Sequence, residues 1–539
     1  MHQQADISTP PSDPRSTTRA PVTVRQAVFE LLRRYNLRTI FGNPGSTELP
    51  MFRDFPSDFR YVLGLQECIA VGMADGFAQA TRNAAIVNLH SAVGVGHALG
   101  NIFTAYRNQT PLVITAGQQA RSILPYEPFL YANSATEFPR PYVKWACEPA
   151  RAEDVPVAIA RAYHVAMQAP CGPTFVSIPV DDWDRPAALL EPRRASTTIG
   201  GDPVLLAEAR KALGEAECPA IVVGASVARD GAWNEVIALA ERHQAPVWVS
   251  PMSGRNSFPE NHRLFAGFLA ASRERIVASL TGHDFILVLG APVFTMHVEG
   301  FGPFIPAGAQ LFQLTDDPTI SSWTPVGVSI VTGIKLGIRA LLEGPEPRRR
   351  SAPMPRAPAV ALSGIPLSDR YLLQQIAVLR PPGSIVVEEA PSSRGPMHDY
   401  LPITDQDTFY TCASGGLGHG LPAAVGVALG RPREKVIAII GDGSAMYAIQ
   451  GLSAAAELQL PIAFIIIKNG SYAALHEFAS HFQLRQVVGS RLPPLDFCAL
   501  ARAQGVQAIL VTSAQELDRA LQAAFRSEQA MLVEVHVDR

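Results

Sequence analysis

The chain has no surplus of either charge, few cysteines for its size and no long apolar run. Its 45 lysines and arginines nearly balance 48 aspartates and glutamates, a formal net charge of −3. With no basic stripe either, nucleic acid is not an expected partner. No apolar run approaches the roughly 20 residues that span a bilayer, which argues against a membrane protein. The six cysteines, Cys68, Cys147, Cys171, Cys218, Cys412 and Cys498, form no CxxC pair. That spacing argues for reduced thiols in a cytoplasmic protein. Residues 1–21 are polar, rich in Pro, Ser and Thr, and lack a hydrophobic stretch, so they read as a disordered tail rather than a signal peptide.

What is present is apolar bulk, 47% of 539 residues, enough for three or four domains at roughly 150 residues each. The organising stretch runs from Val436 to Tyr472. Val436 to Ile440 is a β-branched run stopped by Gly441-Asp442-Gly443 and reads as a buried parallel strand. Ile449, Leu452 and Ala456 then recur at helical spacing, and a second apolar run, Ile462 to Ile467, ends at Asn469-Gly470. A right-handed strand-helix-strand unit would set Asp442 and Asn469 side by side at the carboxyl edge of a sheet, where open α/β folds bind ligands. A carboxylate and an amide carbonyl there suit Mg²⁺ or Ca²⁺ with a phosphate completing the shell. The glycines let backbone approach phosphate oxygens, and the following helix start offers free N–H groups. Alone, such a turn is equally a plain tight turn.

The same alternation opens the chain. Strands at Thr39 to Phe41, Tyr61 to Leu65 and Ala84 to Leu89 deliver Ser46, Glu67 and His90 just past their ends, where they can converge on one edge. Pro- and Arg-rich segments at 185–203 and 344–366 read as linkers, and the Arg348-Arg349-Arg350 run as a solvated part of the second. The expected fold class is therefore α/β, with three doubly wound, mostly parallel-sheet domains over 22–190, 203–343 and 367–539. The first and third look like one module used twice.

Several residues have competing readings. Glu67 at a helix start is favoured by the dipole, yet Leu63, Leu65, Ile69 and Val71 around it suggest an apolar site, where a carboxyl needs its neutral form or a specific partner. His90 and His297 are either structural strand-end histidines or proton carriers. Ser46, followed by Thr47 and Glu48, is also a plausible helix N-cap. Gly94-Val95-Gly96 with Gly100, and Gly415-Gly416-Leu417-Gly418, imitate nucleotide fingerprints only loosely.

The Gly-Asp-Gly followed by Asn one βα unit later resembles the diphosphate and metal motif of thiamine diphosphate enzymes. FGNPGSTELP, LGLQE, NLHSAVG, GAPVFTMH and GGLGHGLPAA narrow this to the 2-oxo acid decarboxylases, similar to the benzoylformate decarboxylases, from about residue 22 onward. The resemblance implies a pyrimidine-binding first domain, a central domain and a diphosphate-binding third domain. It implies thiamine diphosphate as cofactor and Mg²⁺ (or Ca²⁺) held by Asp442, Asn469 and Ser471. Ser392, Gly415, Leu417, Gly441, Gly443, Ser444 and Tyr472 would contact the cofactor, with Leu417 as a wedge that bends it. Glu67 would activate its pyrimidine, Ser46 would bind the substrate carboxylate, and His90 and His297 would move protons. Phe129, Leu130, Thr411, Ala474, Leu475 and Phe478 would line the substrate pocket. Three positions depart from the family pattern: Thr411 replaces a Phe, Pro391 a Thr, and Lys468 the first of two Asn.

The implied reaction is non-oxidative decarboxylation of an aromatic 2-oxo acid to an aldehyde and CO₂. The alternatives are a carboligase resembling acetolactate synthase, a decarboxylase of aliphatic 2-oxo acids and, more remotely, a non-catalytic nucleotide-binding protein. Because Glu67 and the metal residues lie in different domains, the family arrangement implies a site between two chains, hence a homodimer at least and a homotetramer by expectation.

Overall fold

The computed structural model describes residues 22–538, so the tail expected over 1–21 lies outside the described residues. Three six-stranded sheets, wholly parallel, follow one another along the chain. The first contains β2 (Thr39–Gly42), β3 (Arg60–Leu63), β4 (Ala85–Leu89), β5 (Leu112–Gln118), β6 (Ala146–Cys147) and β7 (Thr174–Pro179). A short antiparallel pair, β1 (Val22–Thr23) with β8 (Pro186–Ala187), ties the start of the described chain to the end of this domain. The central sheet has β9 (Pro219–Val223), β10 (Val247–Val249), β11 (Phe265–Phe268), β12 (Phe285–Leu289), β13 (Gln310–Thr315) and β14 (Val328–Val331). The last has β15 (Ile385–Glu389), β16 (Phe409–Thr411), β17 (Val436–Gly441), β18 (Ile462–Lys468), β19 (Gln507–Val511) and β20 (Met531–His536).

The first sheet has the order β3-β2-β4-β5-β7-β6 and the last β16-β15-β17-β18-β20-β19. Position for position these are the same winding, so the expected reuse of one module holds. The central sheet, β11-β10-β9-β12-β13-β14, is wound differently, reversing at β9/β12 in the dinucleotide-fold manner.

The outer modules share one hydrophobic core. The helix Glu67–Thr81 lies against the helix Gly420–Gly430, and both contribute to a single buried cluster through Ile69, Met73, Leu421 and Val425. The two backbones nearly touch. A Cβ on Gly76 would lie 2.1 Å from the Ala423 carbonyl oxygen, and one on Gly426 would lie 1.8 Å from that of Met73. Side chains at either position would force the helices apart. Between them, fully buried, the Asp75 carboxylate pairs with His419 Nε2 at 2.7 Å and accepts from Asn108 and Gln79 at 2.8 Å each.

Local readings shift in three places. β3 stops at Leu63 rather than Leu65, and Gly64 beyond it lies so close to the next helix that a Cβ there would be 2.7 Å from the Ala70 nitrogen. The helix after β17 is two helices, Asp442–Ala448 and Gly451–Glu457, joined by i→i−3 bonds from Leu452 to Ile449 and from Ser453 to Gln450. The triple-arginine run is not uniformly solvated: Arg350 donates to the carbonyls of Leu213, Gly214 and Ala216, which end a helix, and Arg348 pairs with Glu217 at 2.7 Å.

Candidate active site

β17 and β18 are hydrogen-bonded neighbours, with Gly441 opposite Ile467, so their carboxyl ends emerge together. Asp442 begins the next helix and stands buried at that edge. Its Oδ2 accepts from the backbone N–H groups of Gly470 at 2.7 Å and Asn469 at 3.1 Å, and its Oδ1 from Gly443 at 2.8 Å. Burial raises the Asp442 pKa more than these bonds lower it, a balance that a nearby cation would reverse. Asn469 Oδ1 accepts from the Ser471 N–H at 2.9 Å, which fixes the turn carrying both of these residues beside Asp442. The donor set is hard oxygen throughout and suits Mg²⁺ or Ca²⁺.

Above this edge opens a cavity of about 390 Å³. Asp442, Asn469 and Ser471 line it, together with Ser392, Gly415, Leu417, Gly441, Gly443, Ser444 and Tyr472, so the residues expected around a diphosphate and its ring system meet in one place. Gly443 is required here, since a Cβ would lie 2.3 Å from the Tyr472 ring. Ala474, Leu475, Phe478 and Pro391 extend the wall, and His297 enters from the central domain with its ring 4.5 Å from that of Phe478. Lys468 turns away: its ammonium bonds Glu534 at 2.7 Å and the Leu495 carbonyl. The alternation along β18 puts it on the opposite face from the cavity.

Two consecutive buried glutamates at the end of β15 hold the cavity walls. Glu389 accepts backbone N–H groups from Gly418 at 2.6 Å, His419 at 2.7 Å and Gly420, which pins the loop bearing Gly415 and Leu417. Glu388 accepts from Arg394 Nε at 2.9 Å, from the Thr411 hydroxyl at 2.7 Å and from the Ala390 N–H at 2.5 Å, which closes the loop of Ala390 to Ser393. Thr411, expected in the substrate pocket, is thereby corrected. It is 3% exposed, committed to this network, and does not line the cavity. A hydroxyl next to a buried ion pair is drawn to it, where a Phe has nothing to bond.

The first sheet carries the other group of expected residues. Ser46, Glu67 and His90 follow β2, β3 and β4, three adjacent strands, and so share one sheet edge, but none lines the cavity of the third domain. Ser46 lies exposed in a turn and caps no helix. His90 precedes the helix Ser91–Asn108, and its Nδ1 is 2.8 Å from Glu48 Oε2. Glu48 is buried and also accepts from the N–H groups of Gly45 at 2.8 Å and Gly117 at 2.9 Å. Surrounded by donors, this carboxylate accepts a hydrogen bond from Nδ1–H of His90, which leaves the lone pair on Nε2. Gly45 is needed for the approach, since a Cβ there would lie 2.2 Å from the imidazole. Glu67, 8% exposed, meets His97 Nδ1 at 3.1 Å. The glycine run that imitated a nucleotide motif serves this carboxyl, because a Cβ on Gly94 would lie 3.2 Å from Glu67 Oε1. Phe129 is 87% exposed beside Leu130, whose carbonyl accepts from Ser91 at 2.9 Å, so both belong to the His90 side rather than to the cavity.

Sequence reasoning missed Glu48, Glu388, Glu389, His97 and the Asp75–His419 pair. The two glutamates ending the apolar run IVVEE carried the same strand-end signal that singled out Glu67. Glu48 lay two residues past Ser46, but its partners come from distant strands.

The chain matches the N-terminal TPP binding domain of thiamine pyrophosphate enzymes over residues 22–135, their central domain over 206–341 and their C-terminal TPP binding domain over 392–535. It is 44% identical over 519 residues to a benzoylformate decarboxylase of Pseudomonas aeruginosa, covering 95% of this chain and 98% of that one. Its fold is similar to the crystal structure of benzoylformate decarboxylase from Polynucleobacter necessarius, with a TM-score of 0.93 and 40% identity, covering 96% and 98% of the two chains. It is also similar to the thiamine diphosphate-dependent 4-hydroxybenzoylformate decarboxylase of Rhodococcus jostii RHA1, with a TM-score of 0.91 and 37% identity, covering 96% and 99%.

Proposed function

The chain belongs to the thiamine pyrophosphate enzyme family, and from that premise we propose that it decarboxylates an aromatic 2-oxo acid of the benzoylformate type to an aldehyde and CO₂. The observation that carries this reading is the cavity at the β17/β18 edge, which has oxygen donors on one wall and His297 with Phe478 on another.

Thiamine diphosphate, when bound, supplies a nucleophilic carbon and an electron sink for the electrons released with CO₂. The protein supplies grip, orientation and protons. In this reading Asp442, Asn469 and Ser471 hold a divalent cation against the diphosphate, with Mg²⁺ the natural occupant and Ca²⁺ a substitute. Gly441, Gly443 and Ser444 let the backbone close on the phosphate, and Leu417 supports the rings between the walls pinned by Glu388 and Glu389. Ala474, Leu475 and Phe478 give an aryl ring an apolar seat. His297 has its imidazole beside that seat, placed to exchange protons with substrate.

Ser46, Glu67 and His90 are assigned to the same chemistry, through the partner chain of a homodimer or homotetramer. Support comes from their shared sheet edge and from their absence from the cavity that their own chain forms. Ser46 would donate to the substrate carboxylate, His90 through Nε2 would transfer a proton, and Glu67 would exchange one with the cofactor pyrimidine. No helix among the described residues is long and apolar enough to cross a membrane. The six cysteines are all free thiols, which supports a reducing, cytoplasmic setting.

A panel of aromatic and aliphatic 2-oxo acids, scored by CO₂ release with thiamine diphosphate and Mg²⁺, tests the substrate class. Turnover of benzoylformate well above that of pyruvate supports the reading. Acetolactate formed from pyruvate alone would instead establish a carboligase.

A further inference from the structure

The helix that carries Leu475 and Phe478, Ala474–His481, begins without a cap of its own. Its N-cap residue is Ala473, whose methyl group accepts no hydrogen bond, so the free N–H groups of the first turn need acceptors from elsewhere. One comes from a distant loop of the same domain. Ser392 Oγ stands 3.1 Å from the Ala474 nitrogen and accepts its N–H. Donor and acceptor belong to one chain, so the bond does not depend on which surfaces a partner subunit covers.

Both sides of this contact are held in place. The loop of Ala390 to Ser393 is closed by the Ser393 N–H on the Ala390 carbonyl at 2.9 Å and anchored by the Ala390 N–H on Glu388 at 2.5 Å. Pro391 fixes one backbone angle within it. On the helix side, the Tyr472 N–H donates to the Ser490 carbonyl at 2.7 Å, and the Leu475 N–H to the Tyr472 carbonyl at 3.0 Å. The first turn is thus clamped between the turn bearing Asn469 and Ser471 and the loop bearing Ser392. Ser392, Ala474, Leu475 and Phe478 all line the cavity, with the His297 ring 4.5 Å from that of Phe478.

We propose that Ser392 is a positioning residue for substrate selection: by capping this helix it holds Leu475 and Phe478 at the distance from His297 that an aryl ring requires. The role rests on the reading of that wall as the aryl seat. A hydroxyl has a proton to give besides the lone pairs that accept, so the Ser392 O–H remains free to meet a phosphate oxygen while Oγ keeps the helix. One small side chain then serves the cofactor and the seat together. An alanine at 392 leaves the Ala474 N–H without this acceptor and frees the first turn, whereas a threonine keeps the cap.

The test compares the parent holoenzyme with Ser392→Ala and Ser392→Thr at saturating thiamine diphosphate and Mg²⁺. It reads CO₂ release from benzoylformate and from pyruvate, cofactor affinity by titration, and amide hydrogen–deuterium exchange over the first turn of the helix by mass spectrometry. Expected for Ser392→Ala is a kcat/KM for benzoylformate lowered about tenfold, chiefly through KM, with that for pyruvate within about threefold of the parent's. Exchange at the first turn should rise about fivefold or more, and Ser392→Thr should restore both readouts. An unchanged ratio of the two substrates in Ser392→Ala overturns the proposal. So does an equal loss for both that follows weakened cofactor binding, because Ser392 then serves the cofactor alone. A parent without preference for benzoylformate overturns the aryl seat and the proposal with it, so the two failures are distinguishable.

Discussion

At the scale of single residues, the proposed chemistry depends most on Glu67. Glu67→Gln removes the proton but keeps the shape, so turnover should fall by roughly 10²- to 10⁴-fold while far-ultraviolet circular dichroism and the thermal midpoint stay near the parent's. Glu48→Gln should act one step removed. An amide offers Gly45 and Gly117 a single oxygen and lets the His90 ring choose the wrong tautomer, so kcat should drop about tenfold or more, with thiamine diphosphate binding retained. Steady-state kinetics beside a cofactor titration separates the two effects. That Asp442 and Asn469 share the edge of one sheet, and Glu67 and His90 the edge of another, was legible from sequence, because each follows an apolar strand and parallel α/β sheets gather such positions at their carboxyl edge. Thr411 was misplaced and Glu48 overlooked for a common reason. What a polar side chain bonds depends on partners far along the chain, here Glu388 with Arg394 and Gly117 with His90.

At the scale of elements, strand β15 sets the shape of the cofactor cavity through its last two residues, one fixing each wall. Glu389→Ala would leave the N–H groups of Gly418, His419 and Gly420 buried without an acceptor. At about 1–3 kcal/mol for an unsatisfied buried group, the loop bearing Leu417 should rearrange rather than bear the full loss. The expected result is thiamine diphosphate binding weakened at least about tenfold, read by fluorescence titration of the apoenzyme. Arg394→Lys should be milder, because an ammonium can still meet Glu388 but cannot span to Thr411 with the same fork. Strands were easy to recognise in the sequence, since buried parallel strands are continuous β-branched runs. The joint at Ile449 and Gln450 was not, because its apolar spacing continues unbroken while the hydrogen-bonding pattern changes.

At the scale of the whole molecule, two copies of one winding meet through the helices Glu67–Thr81 and Gly420–Gly430, and the buried Asp75–His419 pair lies in their contact. Burial disfavours charge on both partners, but the charge of His419 and its hydrogen bond lower the Asp75 pKa, while Asp75 raises that of His419. The His419 contribution is complete below the unfolded value of about 6.5 and is lost as pH climbs through the raised folded value. The Asp75 contribution is present above about 4 and is lost as pH falls through the lowered one. Thermal midpoints should therefore decline from neutral toward alkaline pH. His419→Gln should remove much of that slope and cost about 3–5 kcal/mol by leaving Asp75 buried without its cation, as denaturant titration would show. The duplicated module could be read from the repeated strand alternation, whereas the backbone-to-backbone seam between the copies could not, since glycines at 76 and 426 carry no mark of their neighbours.

In the proposed assembly, each cofactor would be held by the Asp442 edge of one chain and the Glu67 edge of another. The direct measurement mixes two inactive proteins, Glu67→Gln and Asp442→Ala, by reversible dissociation and reassembly, and assays decarboxylation. Half of randomly paired dimers are hybrids, and each hybrid regains one intact site of two, so activity should return to about a quarter of the parent's. No recovery, with hybrids verified by native mass spectrometry, would contradict the account.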